Sequence, residues 1–219
     1  IAGAQVDVLQ TPSSVRTTSG GHFEDTRFTE GSRVIANIQA KEHWPTVAAL
    51  TAGNEQTVPV FSKKMMQAFV SLASPDELTA ERDMKTKGVV WGHVMRGGQS
   101  LQGARVEIVT EGTGQPIYFN DLMLPDKNMT ETGSNGLFAI PAATEGSHAV
   151  QIYVGKKVSD PVFMKTNVQS VTALDLDVIK GTEVEARAFD AFKTEQIVRT
   201  EVRPMGHVKV RKMIVDGEK

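Results

Sequence analysis

Three short landmarks occur twice in this chain, in the same order, and they constrain its fold more tightly than its composition does. Ile1-Ala-Gly-Ala-Gln-Val-Asp-Val-Leu9 aligns with Leu101-Gln-Gly-Ala-Arg-Val-Glu-Ile-Val109, so that Gly3, Ala4 and Val6 match Gly103, Ala104 and Val106. Thr17, Gly21 and Phe23 then recur at the same spacing as Thr132, Gly136 and Phe138. Glu30-Gly31-Ser32 returns as Glu145-Gly146-Ser147, eight residues after the Phe in both copies. Fixed-order self-similarity marks one supersecondary unit used twice.

The residue pattern says what kind of unit it is. Both opening segments alternate apolar with polar residues, the period of a half-buried strand. Gly20-Gly21 and Asn135-Gly136 are tight-turn dipeptides, since the turns that suit hairpins need positive φ at their centre. Gly31 and Gly146 each precede a strand-like run, Arg33–Ile38 and His148–Val154. The expectation is an all-β chain of two tandem copies of one small β-sandwich. Its segments are 1–73 for the first sandwich, 74–87 for a helical connector, 88–179 for the second sandwich and 180–219 for further strands.

The copies differ in length. Gly3 to Gly21 spans 18 residues and Gly103 to Gly136 spans 33, so the second copy holds 33 − 18 = 15 more. The added stretch, Glu111–Lys127, has turn residues at its ends and Ile117, Tyr118, Phe119, Leu122, Met123 and Leu124 in its middle. It reads either as a binding loop on a rigid scaffold or as a hairpin that covers its own sheet edge.

Between the copies, Met65–Leu72 reads as a closing strand, with a helical turn as the competing assignment. Ser74 suits an N-cap, Pro75 the first helical position and Glu77 a capping box, predicting a helix over Pro75–Thr86. Beyond Val178, the stretches Glu183–Phe189, Ile197–Val202 and His207–Val215 keep a strand-like rhythm, and Met205-Gly-His-Val208 echoes Trp91-Gly-His-Val94. This tail forms an annex, completes the first copy or begins a third.

The pattern G-A-x-V, T-x-x-x-G-x-F, G resembles the carboxypeptidase regulatory-like family. The likeness runs across Gly88–Val178 in the second copy. It is partial in the first, where the family's opening strand should precede Ile1. The resemblance implies a prealbumin-like (transthyretin-like), Ig-like Greek-key sandwich, an accessory or structural role with protein or carbohydrate contacts, and an extracytoplasmic location in the bacterial cell envelope. Ile1 stands inside a strand-like pattern, so we expect material upstream of it that processing or cloning removes.

Chemistry is sparse. A formal charge of 24 − 26 = −2 lacks the concentrated basic face that phosphate contacts or an anionic membrane surface demand. With no cysteine, thiolate metal sites, disulfides and cysteine nucleophiles are excluded. No apolar run approaches the ~20 residues of a membrane-spanning helix. The five histidines show no local metal-ligand spacing, and Asp175 and Asp177, at i and i+2, read as solvated outward acids. No nucleophile elbow, P-loop or dinucleotide fingerprint is present.

Enzymes that share the prealbumin-like fold carry a terminal Tyr-Arg-Gly-Ser motif or a two-Tyr, two-His iron site. This chain lacks the first, and its only tyrosines, Tyr118 and Tyr153, do not follow the second. We therefore expect no catalytic or metal site and no cofactor. Trp44, Tyr118 and Phe119 are the aromatics nominated for ligand contact, and Gly3, Gly21, Phe23, Gly31, Gly103, Gly136, Phe138 and Gly146 the turn and core framework. The expected partner is a protein, or alternatively a polysaccharide, with neither nucleic-acid binding nor membrane insertion.

Overall fold

The computed structural model describes residues 1–9, 11, 14–25, 27–53, 55–110, 113–180, 183–187 and 205–210. Its strands run β1 Gln5–Val8, β2 Ser14–Arg16, β3 His22–Phe23, β4 Arg33–Gln39, β5 His43–Trp44, β6 Thr46–Thr51 and β7 Gln56–Ser62. Two helices follow, α1 Lys63–Ala73 and α2 Glu77–Thr86. Then come β8 Gly88–Arg96, β9 Gln99–Ser100, β10 Ala104–Ile108, β11 Ile117–Phe119, β12 Pro125–Asp126 and β13 Leu137–Ala143. The series ends with β14 Gly146–Val154, β15 Lys157–Val158, β16 Val162–Thr166, β17 Val171–Lys180, β18 Glu183–Arg187 and β19 Met205–Val210. The chain is mostly β. It divides into two compact units, Ile1–Met66 with Ala188–Lys219, and Gln67–Arg187.

The first unit has two sheets. One is antiparallel in the order β6-β4-β1-β2, and the other runs β3-β19-β7-β5. Val34, Ala36 and Ile38 of β4 alternate with exposed residues and meet Leu50 and Ala48 of β6 across the register. β7 is buried on both faces, as a strand with neighbours on every side must be. Of the tail segments, Glu183–Arg187 pairs with β17 and Met205–Val210 with β7 and β3. The expected strand over 197–202 and the end of the last one, 211–215, lie outside the described residues.

In the second unit, β12-β11-β13-β8-β17 form one sheet, with β9 beside β8 and β18 beside β17; β10-β14-β15 with β16 form the other. Both feed one apolar cluster: Val90, Val94, Phe138, Ile140 and Leu176 from the first, Val106, Val150, Ile152 and Met164 from the second. β8 and β17 run parallel, with Asp175 opposite His93. Gly92 is required beside this core, because a Cβ there would lie 2.2 Å from the Phe138 ring.

One hydrogen-bond network appears in each unit at corresponding residues. The Thr17 hydroxyl accepts from the Ala4 N–H at 2.8 Å and donates to the Ile1 carbonyl at 2.7 Å. The Thr132 hydroxyl accepts from Ala104 N–H at 3.0 Å and donates to the Leu101 carbonyl at 2.6 Å. Gly3 N–H reaches the Thr17 carbonyl at 3.1 Å, and Gly103 N–H the Thr132 carbonyl at 2.9 Å. Gly21 and Gly136 hold φ of 76° and 66°, and Phe23 and Phe138 are buried behind them.

Met65–Leu72 corrects the strand reading. Met66, Phe69 and Val70 are its buried apolar residues, spaced i, i+3, i+4, which is a helical stripe. The Ser62 hydroxyl accepts from Met65 N–H and caps the helix. The next helix begins two residues later than expected. Ser74 finishes α1, with both its N–H and its hydroxyl donating to the Val70 carbonyl, and Asp76 is the N-cap, accepting from Thr79 N–H at 2.8 Å.

Candidate functional site

The residues that distinguish the second copy build a rigid loop with an apolar tip. β11 and β12 are joined by Asn120–Leu124, and Asn120 organises the turn. Its side-chain oxygen accepts from Leu122 N–H at 3.0 Å and Leu124 N–H at 3.1 Å, while its own N–H donates to the Leu124 carbonyl at 3.0 Å. From outside, the Asn135 side-chain amide donates to the Asn120 carbonyl at 2.8 Å, and the Ser134 hydroxyl donates to Asp121 at 2.7 Å. With its backbone satisfied this way, the loop holds Leu122, Met123 and Leu124 outward at 74%, 36% and 53% exposure. Three consecutive exposed apolar side chains on an ordered loop make a candidate contact surface.

The base of this end holds a buried polar cluster that sequence reasoning missed. Asp175 and Asp177 have no solvent exposure, which corrects their reading as solvated acids. The Asp177 carboxylate accepts from Gly97 N–H at 2.8 Å and Gly98 N–H at 3.1 Å, fastening the β8–β9 turn to β17. His93 joins the Ser100 hydroxyl through Nε2 at 2.9 Å, and its Nδ1 lies 3.5 Å from Asp175. Hydroxyl, imidazole and carboxylate follow one another as in an activated-serine site. Two things separate this cluster from such a site. The imidazole–carboxylate distance exceeds a hydrogen bond, and the turn's backbone donors, which could stabilise an oxyanion, are taken by Asp177. The parallel register of Asp175 with His93 was the sequence signal, readable only once β8 and β17 are known to be neighbours.

The nominated aromatics are core residues. Trp44, Tyr118 and Phe119 are 4%, 2% and 2% exposed, so none offers a ring face to a ligand. The Tyr118 hydroxyl accepts from Val106 N–H at 2.9 Å, filling backbone groups of β10, whose other side pairs with β14. Burial pushes its pKa above the ordinary value. Phe119 packs on Trp91 with ring centroids 4.7 Å apart, and Phe69 of α1 stacks on it at 6.3 Å. Gly3, Gly31 and Gly103 sit in turns at positive φ, and Gly146 opens β14 at φ 128°.

His148 Nε2 lies 2.7 Å from the Thr144 carbonyl and 2.9 Å from the Thr166 hydroxyl, and His43 Nδ1 lies 2.7 Å from the Lys41 carbonyl. Among the described residues no group of three His, Asp or Glu is placed to hold a metal ion, and no helix is long and apolar enough to cross a membrane. No protein-family model matches the chain, and no curated protein matches it either.

Proposed function

We propose that this chain is a non-catalytic structural or protein-interaction part of an exported bacterial cell-envelope protein, built from two tandem prealbumin-like sandwiches, and that it engages a protein partner through the Leu122–Leu124 tip. The tip carries the reading. Its backbone is pinned by Asn120, Asn135 and Ser134, so little ordering entropy is lost on docking. Burying the exposed parts of Leu122 and Leu124 in a partner would contribute about 1–2 kcal/mol each. The duplicated Thr17 and Thr132 networks support the tandem arrangement. The envelope location rests on the family resemblance alone. The polysaccharide alternative has no support from Trp44, Tyr118 or Phe119, which are buried.

A photo-crosslinking residue at position 123, expressed in the native host, tests the reading. One discrete protein adduct should form, and Leu122→Ser with Leu124→Ser should abolish it while leaving the melting temperature unchanged. Identical adducts from both proteins would overturn the docking role. An ester or amide turnover lost in Ser100→Ala would overturn the non-catalytic one.

A further inference from the structure

The strand β19 lies between β3 and β7 of the first unit. It pairs antiparallel with β7 over six positions, from Met205 opposite Phe61 to Val210 opposite Gln56. It pairs parallel with β3 at Lys209 with His22 and Val210 with Phe23. Among the described residues β3 has no other strand partner, and β5, the second neighbour of β7, covers only Phe61 and Ser62. Without β19 the unit would hold a slot one strand wide. Its two backbones would stand about 9.6 Å apart, twice the usual strand spacing, beside the buried Val58, Val60 and Phe61.

The strand that fills the slot is not local. The whole second unit lies between β7 and β19 in the sequence, and 17 residues, 188–204, separate Arg187 from Met205. A segment of that length reaches at most about 56–61 Å.

We propose that this slot is a strand-acceptor site for a second copy of the chain, with β19 exchanging between copies to give a strand-swapped assembly. Strand and slot are the same whether one copy or two supply them, so every register pair survives the exchange. The two arrangements differ in the effective concentration of the strand, which for covalently joined partners we take to be on the order of millimolar. Dilute protein keeps its own strand, and protein crowded towards that concentration shares it. Reciprocal exchange closes a dimer. One-way exchange leaves an open chain, because slot and strand are different surfaces. The inference does not depend on the Leu122–Leu124 tip.

The absence of native cysteine makes a clean test. Val58→Cys in one population and Val208→Cys in another place thiols at paired register positions. Opposed Cα atoms in antiparallel strands stand about 4.5–5.5 Å apart, within the range of about 4.4–6.8 Å that a disulfide spans. Thr57→Cys with Lys209→Cys is the neighbouring pair, so one of the two pairs has the narrow geometry and a misfolded variant leaves the other.

The populations are mixed, equilibrated and oxidised at about 10 μM and about 1 mM, the first far below and the second close to a millimolar effective concentration. A mixed disulfide dimer should rise at least about tenfold between them, excess wild-type chain should suppress it, and the Leu122→Ser/Leu124→Ser protein should exchange as readily. The double variants should close within one chain at the lower concentration. Double variants that close while no mixed dimer forms at the higher concentration would show a private slot and overturn the proposal. Double variants that fail to close would remove the pairing on which it stands.

Discussion

Replacing Thr132 with Val tests the duplicated network where it is most buried. Thr132 is 1% exposed, and its hydroxyl serves Ala104 N–H and the Leu101 carbonyl together. Valine keeps the shape and removes both bonds, leaving the buried Ala104 N–H and the part-buried Leu101 carbonyl without the Thr132 hydroxyl. Each such group costs about 1–3 kcal/mol, so the pair should cost about 2–5 kcal/mol after partial relaxation. Against a domain stability of about 5–15 kcal/mol that is a large fraction. With a urea m-value of about 1–3 kcal/mol per molar, the midpoint should fall by roughly 1–2 M at unchanged slope.

Trp91 is the tryptophan of the second unit and Trp44 that of the first, so Trp44→Phe leaves a fluorescence probe of the second unit alone. Thr132→Ser keeps the hydroxyl and loses one methyl, about 0.8 kcal/mol by transfer, and should stay close to wild type. Thr17→Val, followed through Trp44 in a Trp91→Phe background, should cost the first unit a similar amount, because its bonds match at 2.8 and 2.7 Å. A Thr132→Val midpoint equal to wild type, or a Thr132→Ser loss as large as that of Val, would refute the argument.

Other substitutions probe other contacts. Gly92→Ala places a Cβ on the Phe138 ring and should destabilise the second unit by about 1–3 kcal/mol in urea titration, with Phe138→Leu relieving part of the loss. Tyr118→Phe leaves Val106 N–H unpaired and should cost about 1–3 kcal/mol by the same measurement. Burial raises the Tyr118 pKa in the folded chain, so its neutral form contributes stability that is fully present below the unfolded value of about 10 and lost as pH rises through the folded value. Absorbance at 295 nm should therefore show Tyr118 ionising above the ordinary tyrosine range and together with loss of near-ultraviolet dichroism. The Asp25 carboxyl is held below its usual range by its hydrogen bond to Arg27. Its stabilisation is present above the unfolded value of about 3.9 and lost as pH falls through the folded one. Asp25→Asn should flatten that acid limb in pH-dependent melting, by a small amount because Arg27 is well solvated.

How much of this was legible in the sequence depended on how local each determinant was. Gly21 and Gly136 belong to connections a few residues long, and their positive φ fits the Gly20-Gly21 and Asn135-Gly136 dipeptides. Thr17 and Thr132 were visible as repeated letters, while their hydroxyls' role needed two segments of backbone side by side. Met65–Leu72 misled because an apolar run of that length fits strand and helix alike, and the Ser62 cap carries the distinguishing signal. Asp175 and Asp177 read as outward because alternation places them opposite Leu174 and Leu176. In a sheet covered on both faces that argument loses its force, and the acids became a buried latch instead. Tyr118 and Phe119 lie inside the inserted stretch but in its strand, while the exposed residues lie at its turn.

The tail is where the two units part company, and strand polarity says how. In the second unit β8 stands between β13, which carries Phe138, and β17, antiparallel to the first and parallel to the second. In the first unit β19 stands between β3, which carries Phe23, and β7, parallel to the first and antiparallel to the second. The same place beside the same landmark Phe is filled in both, with the strand running the opposite way. The echo of Trp91-Gly-His-Val94 in Met205-Gly-His-Val208 thus marks two strands that hold one position. A strand inverted in this way cannot reproduce the register of β8, and its backbone pairs instead with β7 over six positions and with β3 over two. Backbone pairing is indifferent to which copy of the chain supplies the strand, and a site filled on those terms is open to exchange.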